Sequence, residues 1–284
     1  MKKIPIVLVV CSVLFPLLFV LFSTEQTKEA ISQLKQPAVE TKEEVVVIPK
    51  KVNQPSKKPE QLERLEKPSH KQKKQKVMQR KPIIILDPGH QKNADLTKEN
   101  ISPKSDKQRA KQLPSAIGIN TKKKESIVTL QFAKRLQKEL EKKGYEVVLT
   151  RTKQDVQLSN KERALVANEK QATYVMTLHA DASESTRRGF YVATPAKQAV
   201  TLKKYKESEK LAVGVLRAVS KEDRVFEKGI FYRNENTVFN WSTAPSISIQ
   251  LGFLSNVKDD KKMSNAIYLN ELAKWIAKGV PKAK

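Results

Sequence analysis

The chain has 284 residues, with 55 Lys and Arg against 30 Asp and Glu, a formal net charge of +25, and one cysteine. A lone cysteine, placed inside an apolar run at Cys11, excludes a disulfide framework and a cysteine nucleophile, and no glycine-rich phosphate loop is present to suggest a nucleotide enzyme. Such a positive surplus attracts polyanions by long-range steering and by release of their counterions.

In chain order, two lysines precede the apolar stretch 4–22, 19 residues without a charge. As a helix it would measure about 28 Å, enough to span a bilayer core. Residues 1–22 therefore read as a signal peptide or membrane anchor with an exported remainder, and the absence of a clear small-x-small cleavage site after Phe22 favours the anchor. Residues 23–81 mix Lys, Glu, Gln, Pro and Val without apolar periodicity and read as a disordered stalk. The remaining segment, 82–284, still carries 38 Lys and Arg against 22 Asp and Glu, a surplus of 16. Placed outside a membrane, that surplus points to anionic wall polymers or anionic lipid. No nucleic acid is expected, because the anchor exports the domain and no platform of stacking aromatics is visible.

Segment 82–284 is long enough for one substantial core. A strand over 82–87 is followed by a long polar loop over 91–122. Ile127, Leu130, Ala133, Leu136 and Leu140 then recur at helical spacing within 124–144, with Gly144 as the stop. A strand over 145–151 precedes a helix over 158–170, opened by Ser159 or Asn160. The run 172–180 is a strand ending at His179, 189–194 another, and 201–220 a helix. Strands at 229–233 and 246–253 and a closing helix at 265–280 complete the pattern. Strand alternating with helix predicts a single α/β domain with a twisted, mainly parallel sheet flanked by helices on both faces.

Only three histidines occur, and two of them, His90 and His179, close predicted strands. In open α/β sheets the site lies beyond the carboxyl ends of the strands. Two imidazoles brought together there suit a metal ion, and Glu125, at the start of the next helix where a carboxylate also suits the helix dipole, is the best third ligand. The plainer reading is that each histidine only hydrogen-bonds a loop backbone. Spacing alone does not choose between the two.

The ordered set "ILDPGHQ", "KES", "GYEVVLTR", "LSNKERALVANE", "LHADAS", "GFYV" and "APSISIQLGFLSN" resembles, across 82–280, the zinc-dependent N-acetylmuramoyl-L-alanine amidases of the type 3 family. The resemblance implies a single α/β domain that hydrolyses the amide between the lactyl group of N-acetylmuramic acid and the L-alanine of the peptidoglycan stem peptide. It carries His90, Glu125 and His179 onto the ligands of a Zn2+ ion, and it implies a bacterial protein facing the cell wall. Two histidines and a carboxylate leave a fourth position for water.

One residue departs from the family pattern. The family places a glutamate near the end of the last strand, where it takes the proton of the attacking water and returns it to the leaving amine; this chain has Gln250 there. An amide orients a water or an oxygen but carries no proton, and loss of general acid/base catalysis costs typically about 10²–10⁴-fold. The expectation is a weakened amidase, and the alternative is an inactive zinc- and peptidoglycan-binding module that regulates wall turnover. Glu235 would replace the missing acid only if its loop folded over the metal. Arg187, Arg188 and Arg233 are candidates for pairing with peptide carboxylates, and Trp275 is a core residue.

Overall fold

In the computed structural model, which describes residues 80–283, the run Ile83–Pro88 forms β1, buried from Ile84 onward. Consecutive side chains of a strand point to opposite faces, and both faces of β1 are covered. Ile84 and Leu86 join a large apolar cluster on one face, and Ile85 joins a smaller one on the other. The remaining strands are β2 (Asp95–Ser102), β3 (Ser105–Gln112), β4 (Glu146–Leu149), β5 (Tyr174–Asp181), β6 (Phe190–Pro195), β7 (Val225–Arg233) and β8 (Ser246–Phe253). The helices are α1 (Glu125–Glu141), α2 (Asn160–Glu169), α3 (Leu202–Val219), α4 (Thr237–Trp241), α5 (Val257–Met263) and α6 (Ala266–Gly279).

The main sheet has six strands in the order β4-β1-β5-β8-β6-β7. β4, β1, β5 and β8 run parallel, whereas β6 pairs antiparallel with β8 and parallel with β7. The reversal has a simple cause. Only residues 182–189 separate β5 from β6, too few for a parallel crossover, so the chain turns at the carboxyl edge and runs back. The predicted single α/β domain with a mainly parallel sheet and helices on both faces is the fold observed. α1, α3 and α6 supply Phe132, Leu136, Leu211, Val215, Leu272 and Ile276 to one face, and α2 packs Ala164 and Ala167 on the other.

Local signals set the helix ends. Ser159 caps α2 through a capping box, its side chain accepting from Glu162 N while the Glu162 carboxylate accepts from Ser159 N. Thr201 caps α3 by accepting from Lys204 N. Gly144, at φ 92°, leaves α1 in the left-handed region that glycine adopts freely.

The segment 91–122 corrects the sequence reading. Instead of a polar loop throughout, it contains the antiparallel hairpin β2–β3, a separate two-stranded sheet. Its strands are polar apart from Leu96, Ile101 and Ala110, so no apolar alternation betrays them. The hairpin is anchored by buried Ile101, by the indole of Trp241 donating to Asn100 O at 2.8 Å, and by Glu99, which accepts from Lys161 N in the first turn of α2. α4 and α5, also unforeseen, are too short for periodicity and are fixed by Asn236 and Asn256 caps. Trp275 packs against the main core as expected. Among the described residues no helix is long and apolar enough to cross a membrane. The expected anchor at 1–22, and the expected stalk at 23–81 as far as residue 79, lie outside the described residues.

Candidate metal centre

The sheet's carboxyl edge gathers the three residues singled out in the sequence. β1 ends at Pro88, and Gly89 N continues its ladder by donating to Leu178 O at 2.8 Å. A Cβ at Gly89 would lie 2.4 Å from His179 Cε1, so only glycine lets the turn pass under that ring. The next residue, His90, has φ 60°, an uncommon conformation for a side chain of its size. It sends its imidazole to within 5.3 Å of the His179 ring, centroid to centroid, edge to face.

Glu125 opens α1 and is buried between the two rings. Its Oε2 lies 3.0 Å from His90 Nε2 and its Oε1 3.1 Å from His179 Nδ1. The carboxylate also accepts from Ala180 N at 3.0 Å and Ala116 N at 3.3 Å. All three ligand atoms lie within 4.8 Å of one another. Burial alone would raise the carboxyl, but the bonds from His179 and His90 outweigh it and hold Glu125 well below the usual carboxylate range. Burial likewise pulls His90 down, and the Glu125 carboxylate with the Leu113 carbonyl reverses this, so the imidazole sits above its ordinary value.

These residues fit a metal ion. His90 Nδ1 lies 3.0 Å from Leu113 O, and because a carbonyl only accepts, Nδ1 carries the proton. In the neutral ring Nε2 then presents a lone pair to a carboxylate oxygen 3.0 Å away, two acceptors that need a cation or a proton between them. A ligating histidine whose other nitrogen donates to a carbonyl is the usual support of a zinc ligand. The plainer reading of the sequence is thus also present: His90 bonds a loop backbone with one nitrogen and faces the cluster with the other.

A second tier, unsuspected from the sequence, holds the turn in place. The guanidinium of Arg163, on α2, pairs with Asp87 at 2.7 Å, both side chains almost wholly buried. It also donates to Pro88 O, His90 O and Gln91 Oε1 at 3.0–3.2 Å. Arg151, just past β4 and 2% exposed, donates to Pro88 O, Gly89 O and Ser126 O. Burial pulls Arg151 down to about 10, which leaves it cationic at neutral pH.

The cluster opens into a groove of about 340 Å³. Its floor is Asp87, Gly89, His90, Thr177 and His179; Arg109, Gln112 and Leu113 from the hairpin side and Thr237 and Val238 of α4 form its walls. Gln250 sits on β8 with its Cα paired to that of His179, so the two side chains share a sheet face. Its Oε1 is buried without a hydrogen-bond partner. Glu235 lies elsewhere, its carboxylate held by Lys107 and by Arg109 on the hairpin. The three expected arginines are also outside the groove lining: Arg187 pairs with Glu184 and lies over Phe226, and Arg233 lies over Phe231. The arginines that do line it are Arg163 and Arg109, the latter in the segment read as a polar loop.

Comparison with known proteins returns one family. A profile described as N-acetylmuramoyl-L-alanine amidase matches residues 84–282. N-acetylmuramoyl-L-alanine amidase LytC of Bacillus subtilis (strain 168) is 29% identical over 202 residues, 69% of this chain and 34% of the relative, so the chain spans about a third of that protein's length. N-acetylmuramoyl-L-alanine amidase Rv3717 of Mycobacterium tuberculosis is 24% identical over 70% of this chain and 84% of its own. Among solved structures, an N-acetylmuramoyl-L-alanine amidase from Clostridium difficile 630 superposes with a TM-score of 0.56 at 28% identity, covering 70% of this chain and 94% of that one. The amidase Ami1 from Mycobacterium smegmatis reaches 0.63 at 20% identity, covering 70% and 94%, a likeness of fold.

Proposed function

We propose, from the premise that the chain belongs to the N-acetylmuramoyl-L-alanine amidase family, that it hydrolyses the amide between N-acetylmuramic acid and L-alanine in peptidoglycan. The observation that carries this reading is the convergence of His90, Glu125 and His179 at the carboxyl edge of the sheet, open to a groove. These three residues would hold Zn2+. A zinc held there would supply polarisation of the scissile carbonyl and a water of lowered pKa.

The protein's own groups do the rest. Leu113 O keeps the proton on His90 Nδ1, and the backbone N–H groups of Ala116 and Ala180 keep the Glu125 carboxylate in one orientation. Thr177 and Arg109 offer polar contacts along the groove. Gln250, beside His179, orients a water or the substrate carbonyl with its amide but carries no proton, so turnover is slow relative to an enzyme with glutamate there. Glu235 does not replace it, because it is not among the residues that line the groove and its carboxylate meets Lys107 and Arg109 at the rim.

Localisation follows from the same reading: residues 4–22 direct the chain to the membrane and the catalytic domain faces the wall. Its basic surface adheres to anionic wall polymer or anionic lipid in a salt-dependent way. Exposed attractions fade as the screening length falls from about 10 Å at 0.1 M salt to about 3 Å at 1 M, so wall retention that persists in molar salt would point to specific sugar or peptide recognition instead.

The deciding experiment is a digest of purified peptidoglycan with the protein, read for new L-alanine amino termini. Their appearance supports the amidase. If Gln250→Glu produces them where the wild type does not, the chain is an amidase arrested at its acid/base position. If neither protein produces them while both bind zinc and peptidoglycan, the domain is a binding module.

A further inference from the structure

Arg151 is an expensive residue where it stands. Its guanidinium is buried and, unlike Arg163, has no carboxylate within bonding distance; every partner is a neutral oxygen. Asp87 and Glu125 favour the charge only from a distance, and a buried cation with no carboxylate bonded to it is costly to keep. The partners show what the charge is retained for. One terminal nitrogen, Nη2, donates to Gly89 O at 3.0 Å and to Ser126 O at 2.8 Å. Gly89 immediately precedes His90, and Ser126 immediately follows Glu125. Nε donates to Pro88 O at 2.9 Å, one residue further back along the same turn. Thr129 completes the joint, its hydroxyl donating to Gly89 O at 3.0 Å.

We infer that Arg151 is a positioning residue that braces the His90 turn against the amino end of the Glu125 helix, presetting the separation of the two ligand atoms. The brace is needed because His90 occupies a left-handed backbone conformation, which an unsupported turn would relax. Only a planar fork of donors reaches three carbonyls from two elements at once; a lysine ammonium is a single point. Arg163 differs in kind, since its contacts are with the β1 turn and with α2's own lead-in and none is with α1.

This inference rests on the metal reading above, and its test separates the two. Zinc affinity is measured on the full chain by chelator competition, and the Co2+-substituted protein is examined for its ligand-field absorption. Arg151→Met is expected to weaken zinc about 10–100-fold, the usual scale for losing a group that orients a ligand, and to change the cobalt spectrum. Arg151→Lys keeps the charge but cannot span both elements, so it too loses about tenfold. Leu140→Ala, a fully buried cavity variant at the far end of α1, is the control for lost stability and is expected to lower Tm while leaving zinc affinity within about twofold. Should Arg151→Met not fold, Arg151→Lys decides. Unchanged affinity in the Arg151 variants, or an equal loss in Leu140→Ala, overturns the positioning role while the metal site stands. A wild type that binds no zinc overturns both.

Discussion

The floor and the rim of the groove are built from the same kinds of charged residue and behave differently. On the floor, Arg163 and Asp87 pair at 2.7 Å with side chains 1% and 3% exposed. On the rim, Glu235 meets Lys107 and Arg109 with side chains 39%, 57% and 54% exposed. A buried pair is costly to assemble, and once assembled neither partner can be removed without stranding the other, by about 3–5 kcal/mol. An exposed pair contributes about 0–1 kcal/mol, because water screens it and the side chains give up rotamer freedom to form it. The floor therefore holds a fixed geometry for chemistry, and the rim is a surface whose charges change partners cheaply.

If that division holds, the largest effects of substitution belong to the floor. His179→Ala is expected to abolish zinc retention and with it hydrolysis, checked by metal analysis and by the peptidoglycan digest. Unchanged zinc content would remove His179 from the ligand set. Next comes Arg163→Met, expected to lose about 3–5 kcal/mol by stranding the Asp87 carboxylate. At about 2–4 °C per kcal/mol for a domain of this size, Tm falls by roughly 6–20 °C.

Acid sharpens the same point. Burial would raise Asp87, but Arg163 and Thr150 outweigh it and hold the carboxyl below its ordinary value. A group depressed in the folded state contributes stability above its unfolded pKa of about 4 and loses it as pH falls through the folded value. The wild type should therefore lose this increment on the acid side, and Arg163→Met should lose less of it, as followed by Tm between pH 7 and pH 3.

Gln250 stands beside the floor, outside the groove lining but with its Cα in register with His179, and its amide Oε1 lacks a partner. Gln250→Glu is expected to raise amide cleavage by about 10²-fold or more at unchanged zinc content. A fully active wild type that gains nothing would mean that another group already moves the proton. The smallest effect is reserved for the rim. Glu235→Gln should change stability by less than about 1 kcal/mol and leave the cleavage rate within about threefold. A loss on the scale of 10²-fold would place Glu235 in the chemistry and erase the distinction between floor and rim.

Much of this molecule is written locally in its sequence. The helical spacing of Ile127, Leu130, Ala133, Leu136 and Leu140, the Ser159 and Glu162 capping box, and the apolar runs that end in His90 and His179 each depend on residues a few positions apart, so α1, α2, β1 and β5 follow from neighbouring residues alone. Three site residues are legible for the same reason: two histidines at strand ends and a glutamate at a helix start are local facts. The β2–β3 hairpin is not, because its strands are polar and owe their order to Glu99 meeting α2 and Asn100 meeting Trp241, contacts made across tens of residues, with Ile101 buried beside them in sequence. Nor is the bracing of the site. Arg151 reads as the charged last residue of a strand and Arg163 as one on a helix face, and both are expected in water. Tertiary structure alone buries them, bringing guanidinium forks to the carbonyls of Pro88 and Gly89 from residues 62 to 75 positions away. Sequence order sets which side chains an element presents. Whether a charge ends in solvent or beneath the His90 turn is decided by where the sheet closes over it, since only there is the loss of hydration offset by enough oriented acceptors.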